Sequence, residues 1–170
     1  MPYPRFKDGW TLYNHDLDNK KWDLASYNII IKNITDPEQL IAINETIPET
    51  IVKNAMLFMM RQSIPPLWED SHNCQGGYLS FKIMNKSVHP IWKSLVYGLC
   101  GETLFVDPIV NTFVTGISIS PKKTFCILKI WLSNCEYQTA KMNTIMYLNT
   151  EDVKFTPFAN TDMLATSQKK

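Results

Sequence analysis

Hydrophobic and polar residues change their spacing along this chain often enough to predict its elements one by one. Residues 10–15, Trp-Thr-Leu-Tyr-Asn-His, alternate with a period of two, which sends successive side chains to opposite faces of a strand. A polar turn over 16–21 follows, with Trp22 just beyond it. Residues 26–34 are rich in β-branched side chains and predict a second strand. The period then lengthens. Asp36 suits a helix cap, Pro37 the first helical position and Glu38 the first turn, so a helix is expected to about Thr46, its apolar face being Leu40, Ile41, Ile43 and Ile47. The apolar run 54–61 is expected to be a strand despite its methionines, and 77–84 alternate again. Residues 90–99 predict a helix that buries Trp92, Leu95, Val96 and Leu99 and ends at Gly101. Two strands, 110–120 and 124–132, are joined at Pro121-Lys122-Lys123. Residues 137–148 have helical spacing and 153–158 suit a last strand. An extended arm over 1–9 and a loose tail over 163–170 complete the reading.

Strand runs interrupted by three helices imply an α+β fold, with helices on one face of an antiparallel sheet. With 170 residues, one domain over 1–170 with a substantial core is expected. A net charge of +1 leaves no general nucleic-acid footprint, so any nucleic-acid affinity has to come from a local site. The run Ile29-Ile30-Ile31 is far too short to span a membrane, no signal peptide is apparent, and no membrane partner is expected. Cys74, Cys100, Cys126 and Cys135 lack a paired metal-ligand spacing and read as reduced thiols of a cytosolic protein. His15, His72 and His89 have no evident nucleophile or metal-ligand partner, so no catalytic residue, metal or cofactor is expected.

The stretch that carries chemistry is 64–79, Ile-Pro-Pro-Leu-Trp-Glu-Asp-Ser-His-Asn-Cys-Gln-Gly-Gly-Tyr-Leu. Two prolines stiffen its approach. Trp68 beside Glu69 can receive a flat, cationic heterocycle, because the indole offers a π face and the carboxylate accepts from N–H donors. A solvated loop with a tryptophan tucked beneath it is the alternative that these residues alone leave open.

Trp68-Glu69-Asp70 followed by Gly76-Gly77 resembles the cap-binding loop of eukaryotic translation initiation factor 4E. Trp10 and Tyr13 on the opening strand, Trp22, Trp92, Gly101-Glu102, Ile130-Trp131 and Cys135-Glu136 match in family order, over about residues 3–162. The resemblance implies a curved antiparallel sheet backed by three helices on its convex face, with the ligand slot on the concave side. It implies that Trp22 and Trp68 sandwich a 7-methylguanine, that Glu69 accepts from its ring N–H and amine, and that Trp131 packs on the methyl group. The phosphate side departs from the family: Tyr78, Ser120 and Ile127 stand where basic residues are expected. Lys122 and Lys123 at the hairpin tip, and Lys129 on the next strand, are the substitute candidates.

The partner surface departs as well. Leu40 stands where the family has an anchoring tryptophan, Asp36 where it has an apolar residue, and Lys93 and Tyr97 where it has leucines. The implied function is a cytoplasmic, non-enzymatic translation initiation factor. Its partners would be 5′-capped mRNA and, through an altered surface, a scaffold resembling initiation factor 4G. A cap-binding repressor, and a cap-blind protein that competes for translation-factor partners, are the alternatives.

Overall fold

The structure, a computed structural model, describes residues 4–145, 148–150 and 152–159. Its strands are β1 (Trp10–His15), β2 (Tyr27–Ile34), β3 (Met56–Arg61), β4 (Gly77–Met84), β5 (Val114–Pro121), β6 (Phe125–Leu132) and β7 (Lys154–Pro157). They form one sheet in the order β2-β1-β3-β5-β6-β4-β7, every neighbouring pair antiparallel. The helices are α1 (Pro37–Thr46), α2 (Glu49–Asn54), α3 (Val88–Cys100) and the single-turn α4 (Pro108–Asn111). The fold is α+β, as expected.

Alternation divides the sheet cleanly. Leu12, Leu57, Leu79, Ile117 and Leu128 face the helices and share one core with Leu40, Val52, Trp92 and Leu95. The other face carries Phe58, Met60 and Trp131, joined by Ile64 and Phe158 and flanked by Tyr13, Tyr27, Trp68 and Tyr78. A soluble antiparallel sheet commonly leaves one face open to water; here the second face is aromatic, and the site is built on it.

Several elements differ from the expectation. In α1 the buried residues are Leu40 and Asn44, while Ile41 is 46% exposed. The helix is held down by its i, i+4 pair, with Asn44 Nδ2–H donating to the Lys93 carbonyl at 3.0 Å. The run at 54 begins as the end of α2, a six-residue helix too short to display a period, and the strand proper starts at Met56. Residues 110 and 111, expected to begin a strand, instead close the helical turn 108–111: Asp107 accepts from Ile109 N–H at 2.9 Å and Pro108 opens the turn, the same cap-then-proline signal that marks α1.

Gly101 follows α3 at φ −81°, and it is Glu102 that takes the left-handed conformation at φ 54°. The helical spacing from 137 does not become an α-helix among the described residues. A 3-10 turn spans Cys135–Tyr137, and the chain then runs extended beside 104–106, with Val106 N–H on Lys141 O and Asn143 N–H on Leu104 O, both 2.9 Å. Residues 146 and 147 of that stretch lie outside the described residues, as does the 163–170 tail.

Candidate functional site

The loop after β3 is folded on itself. Asn73 is fully buried within it, and its Nδ2–H donates to Leu67 O at 2.8 Å and Pro65 O at 3.3 Å. Asp70 closes the loop's second half: its carbonyl accepts from Asn73 N–H and Cys74 N–H at 2.9 Å, and its carboxylate accepts from His72 N–H at 2.9 Å. His72 Nδ1 lies 2.8 Å from the same carboxylate. The prolines, Asn73 and Asp70 therefore present Trp68 and Glu69 from a fixed frame. The glycines at its end serve close packing and not a turn. A Cβ on Gly76 would lie 1.7 Å from Leu132 O, and one on Gly77 2.4 Å from Thr156 O. No side chain larger than hydrogen fits where β4 meets β6 and β7.

Trp22 reaches the same place from the turn after β1. It is 50% exposed, yet it is not loose. The His15 imidazole stacks on it at 4.1 Å between centroids and 4° between planes, and Tyr27 meets it edge-on at 6.4 Å. His15 Nε2 is 2.8 Å from Lys21 O, so the Nε2–H tautomer ties the turn to the strand.

Between Trp22 and Trp68 the aromatic face opens as a cleft of ≈ 220 Å³ with Trp131 and Phe58 deep in it and Tyr78 and Lys129 on its wall. That is less than the roughly 300–1,000 Å³ of sites that enclose a drug-sized ligand. It has room for one flat heterocycle, with the rest of a longer ligand outside. Trp131 is 6% exposed, and its Nε1–H is engaged by Ser118 Oγ at 3.0 Å, so it offers the cleft ring surface and no donor.

Glu69 is exposed beside Trp68. Its carboxylate is near enough to matter at the cleft: burial above all, and then the Glu69 charge, push the Tyr27 phenol well up from its ordinary range. Lys129 stands over the Tyr78 ring at 4.1 Å. Lys122 and Lys123 are exposed at the β5–β6 hairpin and are not among the residues that line the cleft; Lys122 N–H donates to Phe125 O at 2.8 Å. On the helical side, the Lys93 ammonium pairs with Glu45, Tyr97 O–H donates to Glu45 at 2.7 Å, and Asp36 is occupied in capping α1 by accepting from Gln39 N–H at 2.9 Å.

The cleft thus brings together Trp22, Trp68, and the β6 pair Lys129 and Trp131 from three separate segments of sequence. A sequence model described as Eukaryotic initiation factor 4E matches residues 5–166, nearly the whole chain. The chain belongs to the eukaryotic initiation factor 4E family. Among relatives in this family, the eukaryotic translation initiation factor 4E-1 of Schizosaccharomyces pombe is 27% identical over 125 residues, covering 72% of this chain and 56% of that protein. The 4E homolog of Acanthamoeba polyphaga mimivirus is 32% identical over 62 residues, 36% of this chain and 23% of that one. The match to the first thus spans about half of the relative's length, and the match to the second less than a quarter. A solved complex of C. elegans eIF4E-3 with the 4E-binding protein Mextli and a cap analog superimposes with a TM-score of 0.78 over 96% of both chains, at 15% identity. A Schistosome eIF4E complexed with m7GpppG and 4E-BP gives 0.68 over 81% of this chain and 76% of that one, at 19% identity. At such identities the likeness establishes the 4E fold.

Reading the sequence missed His15 and Tyr27 as supports of Trp22, and Phe58 and Phe158 behind Trp131. The signal for His15 was present: it shares the alternate-residue set of β1 with Tyr13, on the face opposite Leu12.

Proposed function

We propose that this chain binds the 7-methylguanosine 5′ cap of mRNA and acts as a translation initiation factor in the cytoplasm. The observation that carries the reading is the pairing of two partly exposed indoles, Trp22 and Trp68, on one cleft with Trp131 at its floor. Methylation at the seven position makes guanine cationic. Two π faces then add cation–π attraction to stacking, and each base-stacking aromatic is worth ~1–3 kcal/mol. Glu69 accepts from the ring N–H and exocyclic amine, which the positive charge makes better donors. Trp131, with its N–H engaged by Ser118, meets the methyl group as apolar surface.

Lys129 is the cation nearest the phosphates, and Lys122 and Lys123 are second candidates that have to reach in from the hairpin tip. The chemistry is recognition without bond-breaking, as in a family of cap-binding factors. The cap analog and m7GpppG in the solved relatives support the ligand, and their 4E-binding proteins support a scaffold partner resembling initiation factor 4G.

One observation favours a second reading, a cap-binding repressor. The Glu45–Lys93–Tyr97 clasp places charge on the helical face that the family keeps apolar for its scaffold. Retention on immobilised 7-methylguanosine diphosphate tests the cap reading. Elution by free cap analogue and not by unmethylated guanosine triphosphate is expected, and elution by both alike refutes it. Addition of the purified protein to a cap-dependent translation extract separates initiation factor from repressor by the sign of the effect.

A further inference from the structure

Next to the cleft, on the same face of the sheet, antiparallel register lines up a row of hydroxyls and ammonium groups. Ser118 on β5 is paired with Lys129 on β6, Lys129 with Ser80 on β4, and Ser80 with Lys154 on β7. Cross-strand partners project to one face, with strands ~4.8 Å apart. The row therefore runs from the wall of the cleft to the β7 edge, and Lys82, two residues along β4 from Ser80, lies on the same face. Beneath two of the lysines lie aromatic rings reached along sheet diagonals: Lys129 over Tyr78 at 4.1 Å and Lys82 over Phe125 at 4.4 Å. Among the described residues none of the three ammonium groups is held in an ion pair with a carboxylate. Lys82 and Lys154 are exposed.

Lysines interleaved with ring surfaces on a sheet face are what single-stranded nucleic acid needs: cations for the backbone and platforms for bases, with no sequence read. A cleft that admits one heterocycle leaves everything beyond the cap to lie outside it. We infer that Lys82 and Lys154, with Phe125 and Ser80, form a track for the single-stranded RNA that follows the cap, entered past Lys129. The inference rests on the cap reading, and it adds a hold on the body of the message in a protein whose net charge of +1 gives it no general affinity for RNA.

The test compares three probes: 7-methylguanosine diphosphate, a capped RNA octamer, and the same octamer uncapped. The wild-type protein binds the capped octamer more tightly than the diphosphate and with a steeper salt dependence. Lys82→Ala/Lys154→Ala lowers affinity for the capped octamer about tenfold at low salt and makes the salt slope shallower by roughly 1.4, about 0.7 for each phosphate no longer neutralised. Its affinity for the diphosphate does not change. Lys7→Ala/Lys32→Ala removes equal charge near the opposite edge of the sheet and leaves the octamer unaffected. Equal affinities of the wild-type protein for octamer and diphosphate overturn the track, as does an equal loss from both lysine pairs. Failure of the wild-type protein to bind the diphosphate refutes instead the cap reading, and the track falls with it.

Discussion

The His15 imidazole lies flat on the Trp22 indole, 4.1 Å away and 4° from parallel, and its Nε2–H reaches the Lys21 carbonyl at 2.8 Å. His15 itself is only 2% exposed. A half-exposed tryptophan on a turn would ordinarily sample several rotamers. This one is backed by a ring and tied at the preceding residue, so the cost of ordering it is met before any ligand arrives.

If that backing matters, His15→Ala will weaken binding of a cap analogue by ~0.5–1.5 kcal/mol, the range for an aromatic pair. His15→Phe, which keeps the stack and loses the hydrogen bond, will restore most of it. Fluorescence titration checks both. Equal losses in the two variants would assign the effect to the Lys21 carbonyl and not to the ring.

Glu69→Gln keeps the shape of the acceptor and removes its charge. Charge-assisted hydrogen bonds contribute ~1.5–3 kcal/mol, so affinity for 7-methylguanosine triphosphate should fall by about that amount. Preference for the methylated over the unmethylated base should fall with it, because the methyl group raises the acidity of the donor that Glu69 accepts from. Calorimetry that finds the preference intact in Glu69→Gln would remove Glu69 from that role.

On the helical side, Leu40 is 3% exposed and Glu45 bridges Lys93 and Tyr97. An apolar partner helix would have to cover a charged pair, and Leu40 is too deeply buried to serve as its anchor. Loss of one aromatic anchor typically costs ~2 kcal/mol or more. A Tyr-x-x-x-x-Leu scaffold peptide should therefore bind weakly, and Lys93→Leu/Tyr97→Leu should strengthen it. Tight binding of that peptide by the unmodified protein, measured by fluorescence polarisation, would contradict the altered surface.

Alkaline pH should loosen the fold. Burial raises the Tyr27 phenol from its ordinary 10.0, with the Glu69 charge adding to it, and burial raises the Cys100 thiol from 9.0 against a smaller opposing effect of Arg61. Each group is neutral in both states at neutral pH. Above its ordinary value the unfolded chain releases the proton and the folded one keeps it. The stability present below that pH is thus lost as pH climbs toward the folded value. Melting temperature should decline from pH 9 upward, and Tyr27→Phe should flatten the part above pH 10. Parallel profiles would show that Tyr27 is not the group responsible.

Much of this was legible from the chain itself. The strand at Trp10–His15, the Asp36–Pro37 start of α1 and the Phe125–Leu132 strand follow from period and capping, which are local properties. Elements decided elsewhere were not. Residues 141–143 pair with 104–106 because of backbone partners some 40 residues away, which no local spacing records. In the site, Trp22 and Trp68 stood out by type, whereas the alternation of β1 put His15 on the face of Tyr13 without showing that the following turn would lay Trp22 upon it. The phosphate side shows the same limit: Lys122 and Lys123 attract notice as a pair at a turn, but it is Lys129 that lines the cleft.

In the proposed function, two indoles hold a cationic base. Calorimetric titration with 7-methylguanosine triphosphate and with guanosine triphosphate, on the unmodified protein and on Trp68→Ala, tests it most directly. Markedly tighter binding of the methylated ligand is expected, with a loss of ~1–3 kcal/mol for that ligand in Trp68→Ala. Equal affinity for the two nucleotides, or an undiminished affinity in a folded Trp68→Ala, would contradict it.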